Sequence, residues 1–285
     1  SASGIGLYEA MLSSPPAPPP PPPPPLPPPV PTKNGCSGCE SSKHEDYVFF
    51  VRNTIETFNE LSGNWAADYP ELAFACTRIL SLRKPPEMMS FQRCEAIRQN
   101  GPTCGIVALC MMLNNKVSVE KILNIALLKK YTNNGEMFSC FNMAKLTKKA
   151  LNICNIRNAR VYLQKGGLCS EATINKLFNK CFILIPYDSD CNHAPCLKKG
   201  HRAHWALICG IIKAADGPYY AVYRQGKSNH ISVWPLNDLY MSNMNLVEVS
   251  PELLKDDLKY VVPLTGIGEK FGLRNRYIIV EGLNS

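Results

Sequence analysis

The amino-acid sequence predicts an α+β fold, in which a helical N-terminal half packs on an antiparallel sheet from the C-terminal half. In the first half, apolar residues recur at helical spacing, and in the second half short apolar runs alternate with polar turns. Helices followed by strands, rather than alternating with them, are typical of this class. The 285 residues, 45% of them hydrophobic, are enough for one large domain with a core.

The predicted helices follow an N-terminal tail. The segment 47–61 places Val48, Val51, Ile55 and Phe58 on one side, as expected of an amphipathic helix. Serines that can cap a helix precede three of the later helices. The further predicted helices are 71–82, 119–130, 140–151 and 171–179.

Short apolar runs bounded by polar turns mark the predicted strands. The run His204–Ile212 is too apolar for a surface strand and predicts one buried in the sheet. Asp216-Gly217 makes a turn that returns the chain as an antiparallel partner at 219–224. The other predicted strands are 181–185, 231–234, 260–262 and 277–280.

Residues 1–45 are expected to be a disordered proline-rich tail, followed by a globular domain at 46–285. Residues 15–31 are almost all proline, which supplies no backbone donor and therefore adopts extended polyproline II. Such segments dock in aromatic-lined grooves, although the run could also be a stiff spacer. The expected docking residues are Pro18, Pro19, Pro20, Pro21, Pro22, Pro23, Pro24, Pro25 and Leu26.

The bulk composition narrows the class of protein. No apolar stretch approaches the roughly 18 residues that cross a bilayer, and the N-terminus shows no secretory signal. The 13 cysteines, an odd number at irregular spacing, predict reduced thiols in the cytoplasm. The net charge of +8 suits an acidic protein or nucleic acid. Because no stripe interleaves aromatic and basic residues, nucleic acid is not an expected partner, and neither is a membrane.

Cys104 is the candidate nucleophile. It follows a Gly-Pro turn and a threonine able to cap a helix, and it precedes the apolar run Ile106–Leu113. This pattern predicts a cysteine in the first turn of a buried helix, where unpaired N–H groups and the helix dipole favour the thiolate. Because the thiolate is the nucleophilic form, the pattern indicates an enzyme, although standing alone it would more often be a core cysteine.

A cysteine nucleophile needs a base, and His204 is the best-placed histidine because it opens a rigid, apolar strand. His201, in the loop just before it, is the fallback. A helix-start cysteine followed much later by a strand-start histidine is the arrangement of papain-like peptidases. The pairing of Cys104 with His204 therefore predicts a catalytic dyad that needs no cofactor.

Two supporting roles also have candidates. The side-chain amide of Gln99, together with the backbone N–H of Cys104, can bind the oxyanion of a tetrahedral intermediate. Gln225, at the end of the predicted partner strand, can accept a hydrogen bond from the ring of His204 and fix its tautomer. Asp238, further along the chain, is a weaker alternative for this third role.

Four segments in order carry a resemblance to a known family. They are Gln99–Leu109, Tyr131–Ser139, the stretch from Leu184 through Asn192-His193 to Ala206, and Arg224–Ser228. With them, the chain resembles the actin maturation protease family, cytosolic enzymes of papain-like architecture grouped with the C39-like peptidases. The proline-rich N-terminus also resembles that of this family.

This resemblance implies a cysteine aminopeptidase of papain-like fold that removes an N-terminal acetylated Met or Cys from immature actin. It implies that Cys104 is the nucleophile, that His204 is the base and that Gln99 is the oxyanion side chain. Gln225 stands where such peptidases usually have Asn or Asp. The polyproline tract would hold profilin, which brings actin with it.

Basic residues flank the candidate base. Lys198, Lys199 and Arg202 come just before His204 and predict an electropositive mouth of the cleft, where they would bind substrate. The N-terminus of actin is rich in carboxylates. Steering of such an acidic peptide into the cleft is therefore expected, and salt should weaken it.

A rival interpretation uses the loop before His204 as a zinc site. Two thiols and three imidazoles lie within fourteen residues there, and Zn²⁺ takes such ligands, although the spacing matches no known pattern. The protein would then be a non-catalytic, proline-rich adaptor of the actin system with a zinc-stabilised globular domain. The candidate ligands are Cys191, His193, Cys196, His201 and His204.

Overall fold

The structure, a computed structural model, describes residues 48, 50–57, 64–215, 217–255 and 258–283. These residues belong to one unit of the chain, Glu45–Ser285. The predictions for the N-terminal tail, including the polyproline segment, lie outside the described residues.

Three helices begin directly after the serine that the sequence predicts as their cap. The hydroxyl groups of Ser118, Ser139 and Ser170 each accept a hydrogen bond from the backbone N–H group three residues later in the chain, at 3.2, 3.2 and 3.3 Å. The helices are α1 (50–57), α2 (Pro70–Cys76), α3 (Cys104–Met112), α4 (Val119–Leu128), α5 (Cys140–Ile153), α6 (Glu171–Phe178), α7 (Leu236–Met244) and α8 (Pro251–Lys255).

The strands of the described chain form one antiparallel sheet. They are β1 (Met88–Phe91), β2 (Arg160–Lys165), β3 (Phe182–Ser189), β4 (Pro195–Cys196), β5 (Ala203–Lys213), β6 (Tyr219–Gln225), β7 (Ser232–Pro235) and β8 (Arg276–Glu281). The main path of the sheet runs β2-β8-β3-β5-β6-β7, while β1 pairs with β5 and β4 pairs with β3. A bulge between Ile208 and Gly210 interrupts the pairing of β5 with β6.

Helices cover both faces of the sheet, which explains why its central strands are apolar throughout. In β3, Phe182 and Leu184 pack in the cluster that holds α3, α4 and α5. Their neighbours Ile183 and Ile185 face the opposite way, into a second cluster with α6 and α7. A strand buried on both faces shows no alternation of polar and apolar residues.

The predicted class is confirmed as α+β with an antiparallel sheet, but the sheet is not confined to the C-terminal half. β1 comes from the first half of the chain and pairs with β5, and β2, which lies among the helices before α6, pairs with β8. The predicted strand 260–262 is wrong, because the N–H of Val261 donates to the carboxylate of Glu136 at 2.8 Å instead of to a neighbouring strand. The helix predicted at 71–82 ends at Cys76, since Ile79 adopts an extended backbone.

Within the described residues, no helix combines the length and the apolar character needed to cross a membrane.

Candidate active site

Cys104 is the first residue of α3, as the sequence predicts. The hydroxyl of Thr103 does not cap this helix, because it donates to the carbonyl of Asn100 at 2.8 Å. The backbone N–H groups of Trp205, Gly105 and Cys104 lie near the sulfur of Cys104 and lower the pKa of its thiol. These contacts join the start of α3 to β5, the strand that carries His204.

The expectation that Cys104 rests as a thiolate is wrong. Burial raises the pKa of the Cys104 thiol above its ordinary value. The N–H groups and the positive charge of Lys227 act in the opposite direction, as predicted for a helix start, but they are outweighed by the cost of desolvating the anion. Part of Cys104 nevertheless stays accessible. Cys104 is therefore an accessible thiol rather than a preformed thiolate.

A close approach between α3 and β5 brings Cys104 to the sheet. A Cβ atom on Gly105 would lie 3.1 Å from Cδ1 of Trp205 and 3.2 Å from Cβ of Met137, so only glycine fits here without displacement. The indole N–H of Trp205 donates to the carbonyl of Met137 at 2.9 Å. Trp205 thus connects the helix start, the sheet and the segment that precedes α5.

His204 and Gln225 form the hydrogen bond that the sequence predicts. Nε2 of His204 lies 3.0 Å from Oε1 of Gln225, and the backbone N–H of Lys227 donates to the same oxygen at 2.7 Å. Because a backbone N–H can only donate, the Gln225 atom that faces it must be the amide oxygen, so Nε2 of His204 carries a proton. The neutral ring then keeps the lone pair of Nδ1 free to accept a second proton.

The surroundings of His204 favour this neutral ring. The side chain is 2% exposed, and burial lowers its pKa to about 3. The positive charge of Lys227 acts in the same direction, whereas the hydrogen bond with Gln225 opposes it. The edge of the ring also packs against Tyr187, with ring centroids 6.0 Å apart. At neutral pH, His204 is therefore an uncharged base.

Cys104 and His204 line the same cavity, which has a volume of about 150 Å³. Most of its wall is apolar, while Gln99 and Lys227 supply polar groups beside the dyad. The apolar part comes from Pro102, Met137, Phe138, Trp205, Leu253, Tyr260 and Leu273.

Glu136 lies in the cavity wall, but its carboxylate is fully engaged by the backbone. It accepts the N–H groups of Asn133, Asn134 and Val261 at 3.0, 2.8 and 2.8 Å. This buried carboxylate therefore ties residues 133–136 to the segment that carries Tyr260. Sequence reasoning missed its role, because the bond to Val261 spans 125 positions of the chain.

Gln99 packs directly against the turn that follows Gln225. Its backbone N–H donates to the carbonyl of Gly226 at 2.9 Å, and its side-chain nitrogen donates to the carbonyl of Gly101 at 2.9 Å. A Cβ atom on Gly226 would lie 2.8 Å from Oε1 of Gln99, which explains the glycine. Gln99 thus lies on the cavity beside Cys104, where the sequence predicts an oxyanion donor.

Comparison with known proteins places this site in a family. Residues 94–212 match the family model described as "Actin maturation protease-like, C-terminal domain". An actin maturation protease of Drosophila melanogaster is 39% identical over 221 residues, which cover 77% of this chain and 81% of the relative. The chain belongs to the actin maturation protease family. Relatives of the same name from Mus musculus and Xenopus tropicalis are each 32% identical, over 59% and 64% of this chain and 57% and 70% of their own length.

The family match includes Cys104 and His204 but ends before Gln225 and Lys227. Sequence reasoning also missed Lys227 as a cavity residue, although it lies only two positions after Gln225. The signal that could have found it is the β-hairpin: once β6 ends beside His204, the residues just beyond its end must lie at the same edge of the sheet.

The basic residues predicted to bind substrate lie around Asp188, outside the residues that line the cavity. The buried carboxylate of Asp188 accepts the backbone N–H groups of Lys198, Gly200 and Arg202 at 2.9, 2.8 and 3.0 Å. Lys198 and Lys199 are exposed, and the guanidinium of Arg202 lies 4.0 Å from Asp190. The cavity-lining cation is Lys227 instead.

The alternative candidates for the base and for the third residue, His201 and Asp238, lie away from the cavity. Nε2 of His201 lies 3.0 Å from the carboxylate of Glu248 at the surface, and His201 does not line the cavity. Asp238 is exposed in the first turn of α7, while the ring of His204 bonds to Gln225.

The candidate zinc ligands are not brought together. Among the described residues, no group of three or more His, Cys, Asp or Glu side chains could hold a metal ion. His201 pairs with Glu248 and His204 pairs with Gln225, while the thiol of Cys196 donates to the carbonyl of Asp188 at 3.5 Å.

Proposed function

We propose that the protein is a papain-like cysteine aminopeptidase that removes the N-terminal acetylated Met or Cys from immature actin. The observation that carries this proposal is the shared cavity of Cys104 and His204, in which Gln225 leaves Nδ1 of His204 free as a base. A helix-start cysteine, a histidine on the sheet and an amide that orients its ring are the three parts of a papain-like site.

The proposed reaction begins from a neutral pair. Nδ1 of His204 takes the proton of the Cys104 thiol as the sulfur attacks the carbonyl carbon of the first residue. The backbone N–H of Cys104 and the amide of Gln99 stabilise the oxyanion. The imidazolium then gives its proton to the leaving nitrogen, and the C–N bond breaks to leave a thioester. Water, deprotonated by His204, attacks the thioester and releases the acetylated amino acid and the thiol.

The size and polarity of the cavity support removal of one residue. Its volume of about 150 Å³ lies below the roughly 300 Å³ at which ordinary small-molecule pockets begin. The wall of Met137, Phe138, Tyr260 and Leu273 suits an apolar side chain and an uncharged, acetylated N-terminus. A free α-amino group would lose its hydration there.

Actin is the proposed substrate because relatives that share most of this chain are named actin maturation proteases. We further propose a cytoplasmic enzyme that recruits profilin through Pro18–Pro25 and Leu26. Lys198, Lys199 and Arg202 would act as long-range steering charges for an acidic substrate, an effect that salt screens. The adaptor alternative is not favoured by the family, and no assembled zinc site supports it among the described residues.

The test is to incubate the purified protein with actin that keeps its acetylated N-terminal Met and to read the actin N-terminus by mass spectrometry. The wild type should remove the acetylated residue, Cys104→Ala should not, and Cys169→Ala should match the wild type because that exposed thiol lies outside the cavity. Cleavage by Cys104→Ala would remove Cys104 from the mechanism.

A further inference from the structure

Lys227 is a cation beside the dyad that no carboxylate of the described chain neutralises. It is exposed, it lines the cavity with Cys104 and His204, and its ammonium has no acidic partner within ion-pair distance among the described residues. Glu136, the acidic residue of the described cavity wall, is occupied by three backbone N–H groups. The ammonium of Lys227 is therefore available to pair with a carboxylate that enters the site.

The position of Lys227 identifies the part of a substrate that it would meet. Its backbone N–H donates to the amide oxygen of Gln225, which also holds the ring of His204. Its charge disfavours protonation of His204 and favours ionisation of Cys104, so the ammonium lies within electrostatic reach of both. In a cysteine peptidase, the histidine protonates the leaving nitrogen, and the residue attached to that nitrogen lies next to the histidine.

Arg98 adds a second positive charge at the same place. Its guanidinium donates to the carbonyl of Lys227 and is exposed. Burial lowers the pKa of His193, a third group near His204, and the positive charges of Lys227 and Arg98 act in the same direction. This side of the cavity is thus basic, whereas the wall of Met137, Phe138 and Tyr260 is apolar.

We propose that Lys227 selects substrates that carry a carboxylate on the residue that follows the scissile bond. This inference rests on the peptidase function proposed above. The apolar wall takes the residue that is removed, and Lys227 pairs with the acidic side chain of the residue that is retained. Because Lys227 is exposed, the pair should contribute modestly, and the expected preference for Asp over Asn at that position is about three- to fivefold.

The experiment measures binding apart from cleavage. Fluorescent N-acetylmethionyl peptides with Asp, Asn or Lys as the second residue are titrated against Cys104→Ala protein, and kcat/KM for the same peptides is measured with the wild-type thiol. Each is repeated with Lys227→Ala, Lys227→Glu and Lys149→Ala. Lys149 is the matched control, because it is an exposed lysine on α5, outside the cavity and apart from the proposed steering charges.

The expected result is a preference for the Asp peptide that disappears in Lys227→Ala, reverses toward the Lys peptide in Lys227→Glu and persists in Lys149→Ala. An unchanged Asp-to-Asn ratio in Lys227→Ala would overturn the inference, and so would an equal loss for all three peptides, which would indicate that Lys227 acts on the dyad instead. Failure of the wild type to cleave any peptide would count against the proposed function, whereas the binding ratios still decide the role of Lys227.

Discussion

Replacing His204 by glutamine should make the fold less sensitive to acid between pH 7 and pH 5. The pKa of His204 is about 3 in the folded protein, against an ordinary 6.5. Between these values the unfolded chain binds more protons than the folded one, so the free energy of unfolding falls as the pH is lowered. The slope is about 1.4 kcal/mol per pH unit, which amounts to a loss of about 2 kcal/mol between pH 7 and pH 5.

Urea unfolding of the wild type and of His204→Gln at pH 7, 6 and 5 measures this contribution as a difference between the two proteins. His193, whose pKa is also lowered by burial, remains in both and cancels in the comparison. The wild type should lose about 2 kcal/mol more than the variant over this range. Parallel losses would show that His204 is not held neutral, and the proposed starting state of the reaction would fail with it.

Three further substitutions test two parts of the site and one buried carboxylate outside it. Gly226→Ala should lower kcat by about 10- to 100-fold, because a Cβ atom 2.8 Å from Oε1 of Gln99 displaces the proposed oxyanion donor; an unchanged kcat would exclude that role. Asp188→Asn should lower the free energy of unfolding by roughly 2–4 kcal/mol in urea titrations, because an amide cannot accept all three N–H groups; wild-type stability would contradict this. Gln225→Glu should raise the pKa of His204 and move the acid limb of the kcat/KM profile to higher pH, and an unmoved limb would argue against the pairing.

The elements that could be predicted from the sequence are those whose signal is local. Serine caps fix the starts of α4, α5 and α6, and a turn followed by an apolar run predicts α3 with Cys104 at its start. β5 is predictable as well, because burial on both faces makes it apolar throughout. The hairpin of β5 and β6 then brings Gln225 opposite Ala206, next to His204.

The features that the sequence does not predict depend on contacts between distant parts of the chain. β1 is a four-residue strand whose pairing with β5 leaves no periodic pattern in its own sequence. Segment 260–262 has the composition of a strand, but the buried carboxylate of Glu136 takes the N–H that a sheet would need. The sequence does not predict the protonation state of Cys104, because desolvation depends on the tertiary packing around the sulfur, whereas the sequence shows only the helix start.

The central claim is that the sulfur of Cys104 attacks the carbonyl carbon of an acetylated first residue. An N-acetylmethionyl ketone that carries a leaving group at the position of the scissile bond tests this most directly, with intact-mass measurement and peptide mapping. The account predicts that one adduct forms per chain and that Cys104 is the residue labelled first. It also predicts slower labelling of the His204→Ala variant. Labelling that begins at the exposed Cys169 or Cys191 and leaves Cys104 unmodified would contradict it.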